Sequence, residues 1–296
     1  MKYAGKWGTI NSENTAGAGH SDASPAARTD DNRFGGIKLA TILLLGDITG
    51  RSRVALRMQT AVLEARGHEV LALPTALISN TLNLGRHAQL DTTTYLLESL
   101  ETWEALGIRC DLLSVGYITG LEQAQALAGV MREMRARGVY VIMDPILGDG
   151  GKRYNAVTDG QEAGMRLLAG EADLITPNLT EACLLTGTPF DEAAKGGAAI
   201  DAMIERLSCG GRSVLVTGCY TAQGGRAVCG AEGGARFDVP YEKIPGHHWG
   251  TGDLYSAEMT DALLGGATLE EAARRAAQAV TRELTIRGAS LLPEQG

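Results

Sequence analysis

The architecture of the chain follows from one run of residues, Lys38-Leu39-Ala40-Thr41-Ile42-Leu43-Leu44-Leu45, which is apolar almost throughout. A continuous apolar run of this length is typical of a strand that is buried on both faces of a parallel sheet. A polar turn over residues 46–52 follows, then a helical pattern that ends at Gly67, and then a strand over residues 69–73 that Pro74 closes. Strand, helix and strand in this order predict a βαβ unit with parallel strands.

The same alternation repeats along the rest of the chain. Further apolar strands, separated by helical patterns, are predicted at residues 111–115, 139–143, 173–176 and 213–217. Short strands near residues 227–229 and 235–240 predict an antiparallel hairpin, and helices over residues 251–264 and 268–286 follow it. We therefore predict an α/β fold with a mostly parallel central sheet and helices on both faces.

Polar residues follow the ends of the predicted strands. They are Asp47, Thr75, Tyr117, Asp144, Asn178 and Thr217. Ligands of parallel sheets bind beyond the carboxyl ends of the strands, so we expect these side chains to converge at one rim of the sheet. The polar stretch over residues 75–91 is long for a simple connection, and we predict a functional loop there.

Composition excludes several classes of protein. The 296 residues carry a net charge of −8 with both signs mixed along the chain, which argues against a general binder of nucleic acid or anionic membranes. The longest apolar run is strand-sized and too short to span a membrane. The five cysteines form no C-x-x-C pair, so we expect reduced thiols in a cytoplasmic protein.

The amino-terminal part differs from the remainder. Residues 1–37 are rich in Gly, Ser, Ala, Asn and Asp and show no periodicity, so we predict a disordered extension. A single domain is predicted over residues 38–290, with a short tail over residues 291–296.

The segment Gly250-Thr251-Gly252-Asp253 begins a predicted helix. Glycine lets the backbone approach a ligand closely, and the unpaired amides of a helix N-terminus attract phosphate. A carboxylate at that point is suited to take a proton from a hydroxyl that attacks the phosphate. The segment therefore predicts a phosphoryl-transfer site, and an ordinary helix N-terminus with an acid in its first turn is the alternative.

The segment Asn178-Leu179-Thr180-Glu181 fits a capping box. The alternative is that Glu181 and Asp144 help to hold Mg²⁺ through water, because hard cations prefer oxygen ligands. The glycine-rich segment over residues 148–152 lacks the Walker A spacing, and residues 46–50 lack the spacing G-x-G-x-x-G. We expect any nucleotide to be held instead by a helix N-terminus and a glycine-rich flap.

Five segments taken together carry a resemblance to a known family. They are Pro74-Thr75-Ala76-Leu77-Ile78-Ser79-Asn80, Ser114-Val115-Gly116-Tyr117, Asp144-Pro145-Ile146-Leu147-Gly148-Asp149, Ile175-Thr176-Pro177-Asn178-Leu179-Thr180-Glu181-Ala182-Cys183-Leu184-Leu185 and Gly250-Thr251-Gly252-Asp253. Over residues 39–287 the chain resembles the pyridoxal/pyridoxamine kinase family of the ribokinase-like superfamily. The resemblance implies a ribokinase-like fold, a homodimer, and phosphorylation of the 5′-hydroxymethyl group of a B6 vitamer by ATP with Mg²⁺. A requirement for a monovalent cation is left open.

The resemblance also implies roles for single residues. Asp253 is similar to the catalytic base, and Gly250, Thr251 and Gly252 are similar to the anion hole. The positions similar to the ATP site are Asp144, Asp149, Thr176, Asn178, Glu181, Thr217 and Gly218, with Asp144 and Glu181 at the magnesium end. The positions similar to the substrate site are Asp47, Thr75, Ser79, Asn80 and Tyr117.

Two alternatives remain. The related hydroxymethylpyrimidine (phosphate) kinases usually carry Cys where Asp253 stands, so this position favours a B6 vitamer. A catalytically weak ligand-binding protein of the same fold is the second alternative, and it would have no need to keep the base Asp253.

Overall fold

The computed structural model describes residues 39–84, 86–244 and 248–287. The strands are β1 (Thr41–Thr49), β2 (Glu69–Ile78), β3 (Gln89–Asp91), β4 (Leu112–Val115), β5 (Tyr140–Met143), β6 (Gly148–Asp149), β7 (Lys152–Arg153), β8 (Leu174–Ile175), β9 (Ser213–Tyr220), β10 (Arg226–Glu232) and β11 (Ala235–Tyr241). The α-helices are α1 (Leu56–Ala65), α2 (Thr93–Ala105), α3 (Leu121–Ala136), α4 (Asp159–Ala169), α5 (Leu179–Thr186), α6 (Phe190–Ala193), α7 (Ala198–Leu207), α8 (Thr251–Leu264) and α9 (Leu269–Arg287). A 3₁₀-helix covers Leu82–Leu84.

The central sheet of the described residues has nine strands in the order β11-β10-β9-β8-β5-β4-β1-β2-β3. The six strands from β9 to β2 in that order run parallel to their neighbours. The antiparallel pairs lie at the two edges, where β3 joins β2 and the hairpin β10–β11 joins β9. The predicted mostly parallel α/β fold is confirmed.

Helices cover both faces of this sheet, because the central strands are apolar on both sides. Leu43 and Leu45 point into a core with helices α2 to α5 and α7. Ile42 and Leu44 point into a second core with helices α1, α8 and α9. Alternate residues of one strand therefore serve opposite layers, as the continuous apolar run predicted.

The first two strands are longer than predicted. β1 continues through the expected turn at Asp47 to Thr49, and β2 continues through Pro74 to Ile78. The register of β1 against β2 shifts between Gly46, which pairs with Pro74, and Asp47. Proline cannot donate a ladder hydrogen bond, and a bulge accommodates it, so Pro74 does not end the strand.

Two other predictions need correction. The long loop over residues 75–91 is largely a β-hairpin, since β3 pairs antiparallel with the end of β2. The pattern over residues 194–207 predicts one helix, but α7 begins only at Ala198, after Gly196 and Gly197, which both have positive φ; the short helix α6 ends before this range. That backbone region is left-handed and interrupts an α-helix.

The predicted terminal segments lie largely outside the described residues, so the domain boundaries stay predictions. Within the described ranges, no helix is both long and apolar enough to cross a membrane.

Candidate active site

A cleft of about 900 Å³ lies beyond the carboxyl ends of the parallel strands. Many of the predicted site residues line it: Asp47, Tyr117, Asp144, Asp149, Thr176, Asn178, Glu181, Thr217, Gly218, Gly250, Thr251, Gly252 and Asp253. They come from distant parts of the sequence and meet because parallel strands deliver their carboxyl ends to one edge of the sheet.

The N-terminus of α8 forms one wall of the cleft. Gly250 is the N-cap with φ 79°, a conformation that suits glycine, and a Cβ added there would lie 3.3 Å from the carbonyl oxygen of Arg53. A Cβ added at Gly252 would meet nothing within 4 Å, so this backbone is open on the side of its missing side chain. The Thr251 hydroxyl donates to the carbonyl of His248 at 2.9 Å. The turn thus presents unpaired helix amides to an anion.

Asp253 lies in the first turn of α8, where its side chain is half-buried and lines the cleft. Burial raises the pKa of Asp253, while the neighbouring Ala55 amide and Gln59 side chain act in the opposite direction. A half-buried carboxylate with a raised pKa at the edge of a cleft is suited to accept a proton.

Two further acids share the cleft with Asp253. Burial, together with the negative charge of Asp253, raises the pKa of Asp47 to about 7. The same two causes raise the pKa of Asp144. Three carboxylates that repel one another favour a ligand that brings protons or cations among them.

Glu181 forms the predicted capping box with Asn178. The Glu181 carboxylate accepts from the Asn178 amide at 2.8 Å and from the Leu147 amide at 3.1 Å, and Asn178 Oδ1 accepts from the Glu181 amide at 3.0 Å. Burial and the Asp144 charge raise the pKa of Glu181, and the backbone donors oppose this shift. Glu181 therefore fixes the N-terminus of α5 beside the cleft, and its role toward a metal stays a prediction.

The expected glycine-rich flap is a small hairpin of β6 and β7 over the cleft. Its Gly148 carbonyl accepts from Asn178 Nδ2 at 2.8 Å, and its Gly151 amide donates to the Thr180 hydroxyl at 2.9 Å. A Cβ at Gly151, where φ is 81°, would approach the Phe190 ring to 2.9 Å. The flap is thus held against α5 and α6 by contacts that need glycine.

A Mg²⁺ ion would find a sparse set of donors here. Within the described ranges, no group of three or more His, Cys, Asp or Glu side chains is arranged to hold a metal. Asp144 faces the cleft, and the buried hydroxyl of Thr176 has no hydrogen-bond partner. Both carboxylate oxygens of Glu181 accept backbone hydrogens. This set fits a hydrated ion that is held by Asp144 and by phosphate oxygens, which is the usual manner of Mg²⁺.

The substrate-side residues divide into two groups. Tyr117 lines the cleft, but its ring is buried, and its hydroxyl donates to Gln89 at 2.8 Å and accepts from Gln161 at 3.0 Å. Thr75 is wholly buried behind it and donates to the Tyr117 carbonyl at 2.6 Å. Thr75 therefore positions Tyr117 and does not line the cleft in this structure.

Ser79 and Asn80 also lie away from the cleft lining. The Ser79 hydroxyl donates to Asn80 Oδ1 at 2.7 Å and accepts from the Ala88 amide at 2.9 Å. Asn80 Nδ2 donates to the carbonyls of Thr81 and Arg86. Both side chains stabilise the turn between β2 and β3, and Thr81 and Leu82 line the cleft instead.

Sequence reasoning missed an arginine at the cleft edge. The Arg226 guanidinium lies 3.6 Å from the centroid of the Tyr220 ring and donates to the Gly218 carbonyl at 3.0 Å. Its side chain lines the cleft and an adjoining hollow under the β9–β10 turn. An arginine at the start of a hairpin strand does not indicate, from the sequence alone, that its side chain lines a cleft.

Sequence reasoning also did not predict that one face of α9 lines the cleft. The residues that α9 contributes to the cleft lining are Ala277, Val280, Thr281 and Leu284. Their spacing is that of one helix face, which from sequence alone is typical of core packing. They give this arm of the cleft a wall of small and apolar side chains that suits a flat ring.

Known proteins are similar to this chain in sequence and in fold. The family model described as phosphomethylpyrimidine kinase matches residues 61–294. A pyridoxine/pyridoxal/pyridoxamine kinase of Bordetella avium is 30% identical over 232 residues, which cover 75% of this chain and 77% of that protein. The crystal structure of a pyridoxal kinase from Lactobacillus plantarum superposes with a TM-score of 0.73 at 27% identity, covering 84% of this chain and 89% of that one. A proposed phosphomethylpyrimidine kinase from Bacteroides thetaiotaomicron, crystallised with pyridoxal, superposes with a TM-score of 0.74 at 27% identity, covering 87% and 91%.

Proposed function

Because the chain belongs to the phosphomethylpyrimidine kinase family, whose members here include pyridoxal kinases, we propose that it phosphorylates the 5′-hydroxymethyl group of a B6 vitamer with ATP. The enzyme is then a phosphotransferase with an alcohol group as acceptor.

The observation that carries this proposal is the position of Asp253. Its half-buried side chain lies in the first turn of α8 and lines the cleft, beside the exposed backbone of Gly252. A hydroxyl that attacks a phosphoryl group at this helix N-terminus can give its proton to Asp253. The amides of residues 250–252 stabilise the charge on the equatorial oxygens of the phosphoryl group in transfer.

The nucleotide is proposed to run from this helix N-terminus along the cleft. Its base packs against the α9 face that includes Ala277 and Val280, and its phosphates lie near Thr217, Gly218 and Asn178. The hairpin of β6 and β7 excludes water from the phosphates and so limits hydrolysis of ATP. Bound Mg²⁺ would neutralise phosphate charge close to Asp144. Without a cation, the negative charge of Asp144 would repel an anionic ligand.

The vitamer is proposed to occupy the arm between β1 and Tyr117. Asp47 and Tyr117 line this arm together with apolar residues such as Ile146 and Leu82. Apolar walls with a few polar groups are suited to a flat heteroaromatic ring.

A phosphomethylpyrimidine substrate is the second candidate, because the matching family model carries that description. The family description does not separate the two, since the related Bacteroides protein described in that way was crystallised with pyridoxal. Asp253, in place of the Cys expected for pyrimidine kinases, favours the vitamer.

The deciding experiment is an ADP-release assay with pyridoxal, pyridoxamine, pyridoxine and hydroxymethylpyrimidine in parallel, with the product mass determined. We expect phosphorylation of at least one B6 vitamer, with a higher kcat/KM than for hydroxymethylpyrimidine. A preference for the pyrimidine selects the second candidate. Tight binding of a vitamer without turnover points to a ligand-binding protein.

Family membership also leads us to propose a homodimer in the cytoplasm. Sedimentation velocity at micromolar protein tests the assembly, and a monomer across the concentration range would contradict it.

A further inference from the structure

The hydroxyl of Tyr117 is tethered on two sides, although Tyr117 itself lines the cleft. This hydroxyl donates to Oε1 of Gln89 on β3 at 2.8 Å and accepts from Nε2 of Gln161 on α4 at 3.0 Å. Its one proton and one of its lone pairs are therefore used within the protein. What Tyr117 offers to a ligand is its ring, and the tether determines how that ring is turned.

The ring of Tyr117 packs in a small cluster apart from the two large cores of the sheet. Its buried partners there are Ala76 and Ile78, and Leu82 and Ile146 pack against the cluster. Leu82 and Ile146 also line the cleft. The cluster thus forms the wall of the arm proposed for the vitamer, and the orientation of the Tyr117 ring shapes that wall.

Gln161 is buried, and its side-chain amide can take only one orientation. Its Oε1 accepts from the Thr158 amide at 2.8 Å within the capping box of α4, so Nε2 faces the opposite way. Nε2 donates to the Tyr117 hydroxyl and, at 2.8 Å, to the Ile118 carbonyl. Both hydrogens of the amide are used, and Gln161 is therefore a fixed donor toward Tyr117.

A second buried glutamine, Gln123 on α3, fixes the backbone of Tyr117. Its Nε2 donates to the Thr75 carbonyl at 2.9 Å, and its Oε1 accepts from the Thr119 amide at 2.9 Å. The Thr75 hydroxyl in turn donates to the Tyr117 carbonyl. Burial of an amide is unfavourable unless hydrogen bonds replace those to water, and an apolar side chain would fill the same space without that condition. Two buried glutamines around one tyrosine therefore indicate that its orientation matters.

We infer that Gln161 is a positioning residue, which together with Gln89 fixes the Tyr117 ring for the vitamer. The inference deepens the proposed function and rests on it for its kinetic consequences. Gln161 is buried behind Tyr117 and lies outside the cleft lining, so it acts through Tyr117. A wall that is already oriented loses less freedom when a flat ring packs on it, and the affinity for the vitamer rises accordingly.

A purely structural role of Gln161 in the capping box is the alternative, and two substitutions separate the roles. Gln161→Met keeps the length of the side chain and removes both amide hydrogen bonds. Thr158→Ala removes the hydroxyl that accepts from the Gln161 amide in the same capping box, at an exposed position, and leaves the contact of Gln161 with Tyr117 in place.

We expect Gln161→Met to lower kcat/KM for pyridoxal about 5- to 20-fold, mainly through KM, while KM for ATP changes less than about 2-fold. Thr158→Ala should leave both KM values within about 2-fold of the wild type, although its melting temperature falls as well. Equal losses of kcat/KM for pyridoxal in the two variants would overturn the inference.

A double-mutant cycle with Tyr117→Phe tests whether Gln161 acts through the hydroxyl. Tyr117→Phe alone should lower kcat/KM for pyridoxal by a similar factor, and Gln161→Met should then add less than about a 2-fold effect. An undiminished effect of Gln161→Met in the Tyr117→Phe background would contradict the inference. If Gln161→Met does not fold, Gln89→Leu removes the other partner from an exposed position on the edge strand. Its expected loss is about 2- to 5-fold, and no loss would overturn the inference.

A further readout is independent of turnover. In protein labelled with ¹³C at Cζ of tyrosine, the resonance of Tyr117 is the one that Tyr117→Phe removes. It should move in Gln161→Met and stay in place in Thr158→Ala, because Cζ carries the hydroxyl that Gln161 contacts. An unmoved resonance in Gln161→Met would overturn the inference at any level of activity. A moved resonance in a protein that phosphorylates no vitamer would support the tether and reject the proposed function.

Discussion

At the scale of single residues, Asp253, the proposed base, has to satisfy two opposing demands. A base buried among other carboxylates tends to be protonated, and a solvated carboxylate would be a weaker base with water at the reaction centre. The half-buried position of Asp253 in the first turn of α8 lies between these two extremes.

The first prediction concerns Asp253→Asn. The amide side chain keeps the shape but cannot take the proton, so kcat should fall by at least about 10²-fold, while ATP affinity and thermal stability stay near the wild type. Steady-state kinetics measure kcat, and calorimetric titration measures the affinity for ATP. Near-normal turnover in this variant would remove Asp253 from its role.

The second prediction concerns the pH dependence of stability at Asp47. The pKa of this group rises from 3.8 to about 7 on folding, so the folded protein holds the proton more tightly than the unfolded chain. The stabilising effect is complete below about pH 4 and is lost as the pH rises to about 7. Asp47→Asn cannot ionise, and it should be more stable than the wild type by about 2–4 kcal/mol near pH 8, with a gap that closes toward pH 4.

Urea unfolding of both proteins at several pH values measures this difference. A variant that keeps the pH dependence of the wild type would show that other groups, such as Asp144, are responsible.

At the scale of elements, the hairpin of β6 and β7 owes its narrow form to glycine. A Cβ at Gly148 would lie 2.3 Å from the Lys152 carbonyl oxygen, so the two strands cannot stay paired in Gly148→Ala. We expect KM for ATP to rise about tenfold and kcat to fall with it, because a displaced flap admits water, while global stability changes little. Gly160→Ala on α4, where a Cβ meets only ordinary contacts, is the control for kinetics and melting temperature. Unchanged kinetics in Gly148→Ala would show that the flap is not needed.

The fourth prediction concerns Arg226, the first residue of β10. Arg226 is fixed by Tyr220 and by the Gly218 carbonyl at the edge of the arm of the cleft that we propose for the nucleotide. A guanidinium held there can donate charge-assisted hydrogen bonds to the nucleotide, so Arg226→Gln should raise KM for ATP about tenfold and leave KM for the vitamer unchanged. Arg109→Gln, which removes the same charge from an exposed position, is the control. An equal effect on both substrates would indicate a change in fold.

At the scale of the whole molecule, β1 joins the two hydrophobic layers and also supplies Asp47 to the cleft. Leu44 is 1% exposed and belongs to the layer of α1, α8 and α9. Leu44→Ala should reduce the free energy of unfolding by about 2–5 kcal/mol, as is usual for a cavity in a core. Leu106→Ala, at a side chain that is 70% exposed, should change it by less than about 0.5 kcal/mol. Urea denaturation measures the free energy of unfolding of both variants. Similar losses of unfolding free energy would contradict the two-layer description.

Much of this molecule was predictable from the order of the residues. Apolar runs bounded by turn residues determine which segments are strands and helices, because burial and backbone propensity act over a few neighbours. The parallel sheet, the rim with Asp144 and Asn178, and the capping box of Glu181 follow from such local patterns.

Only the tertiary structure decided which side chains share the cleft. Thr75 follows the predicted strand just as Asp47 does, yet it points behind Tyr117, because the bulge between Gly46 and Asp47 shifts the register of β1 against β2. The cleft-facing side of α9 depends on how this helix rotates and packs against partners that are distant in sequence. Local periodicity cannot specify such rotations, since they are fixed by long-range packing of the whole chain.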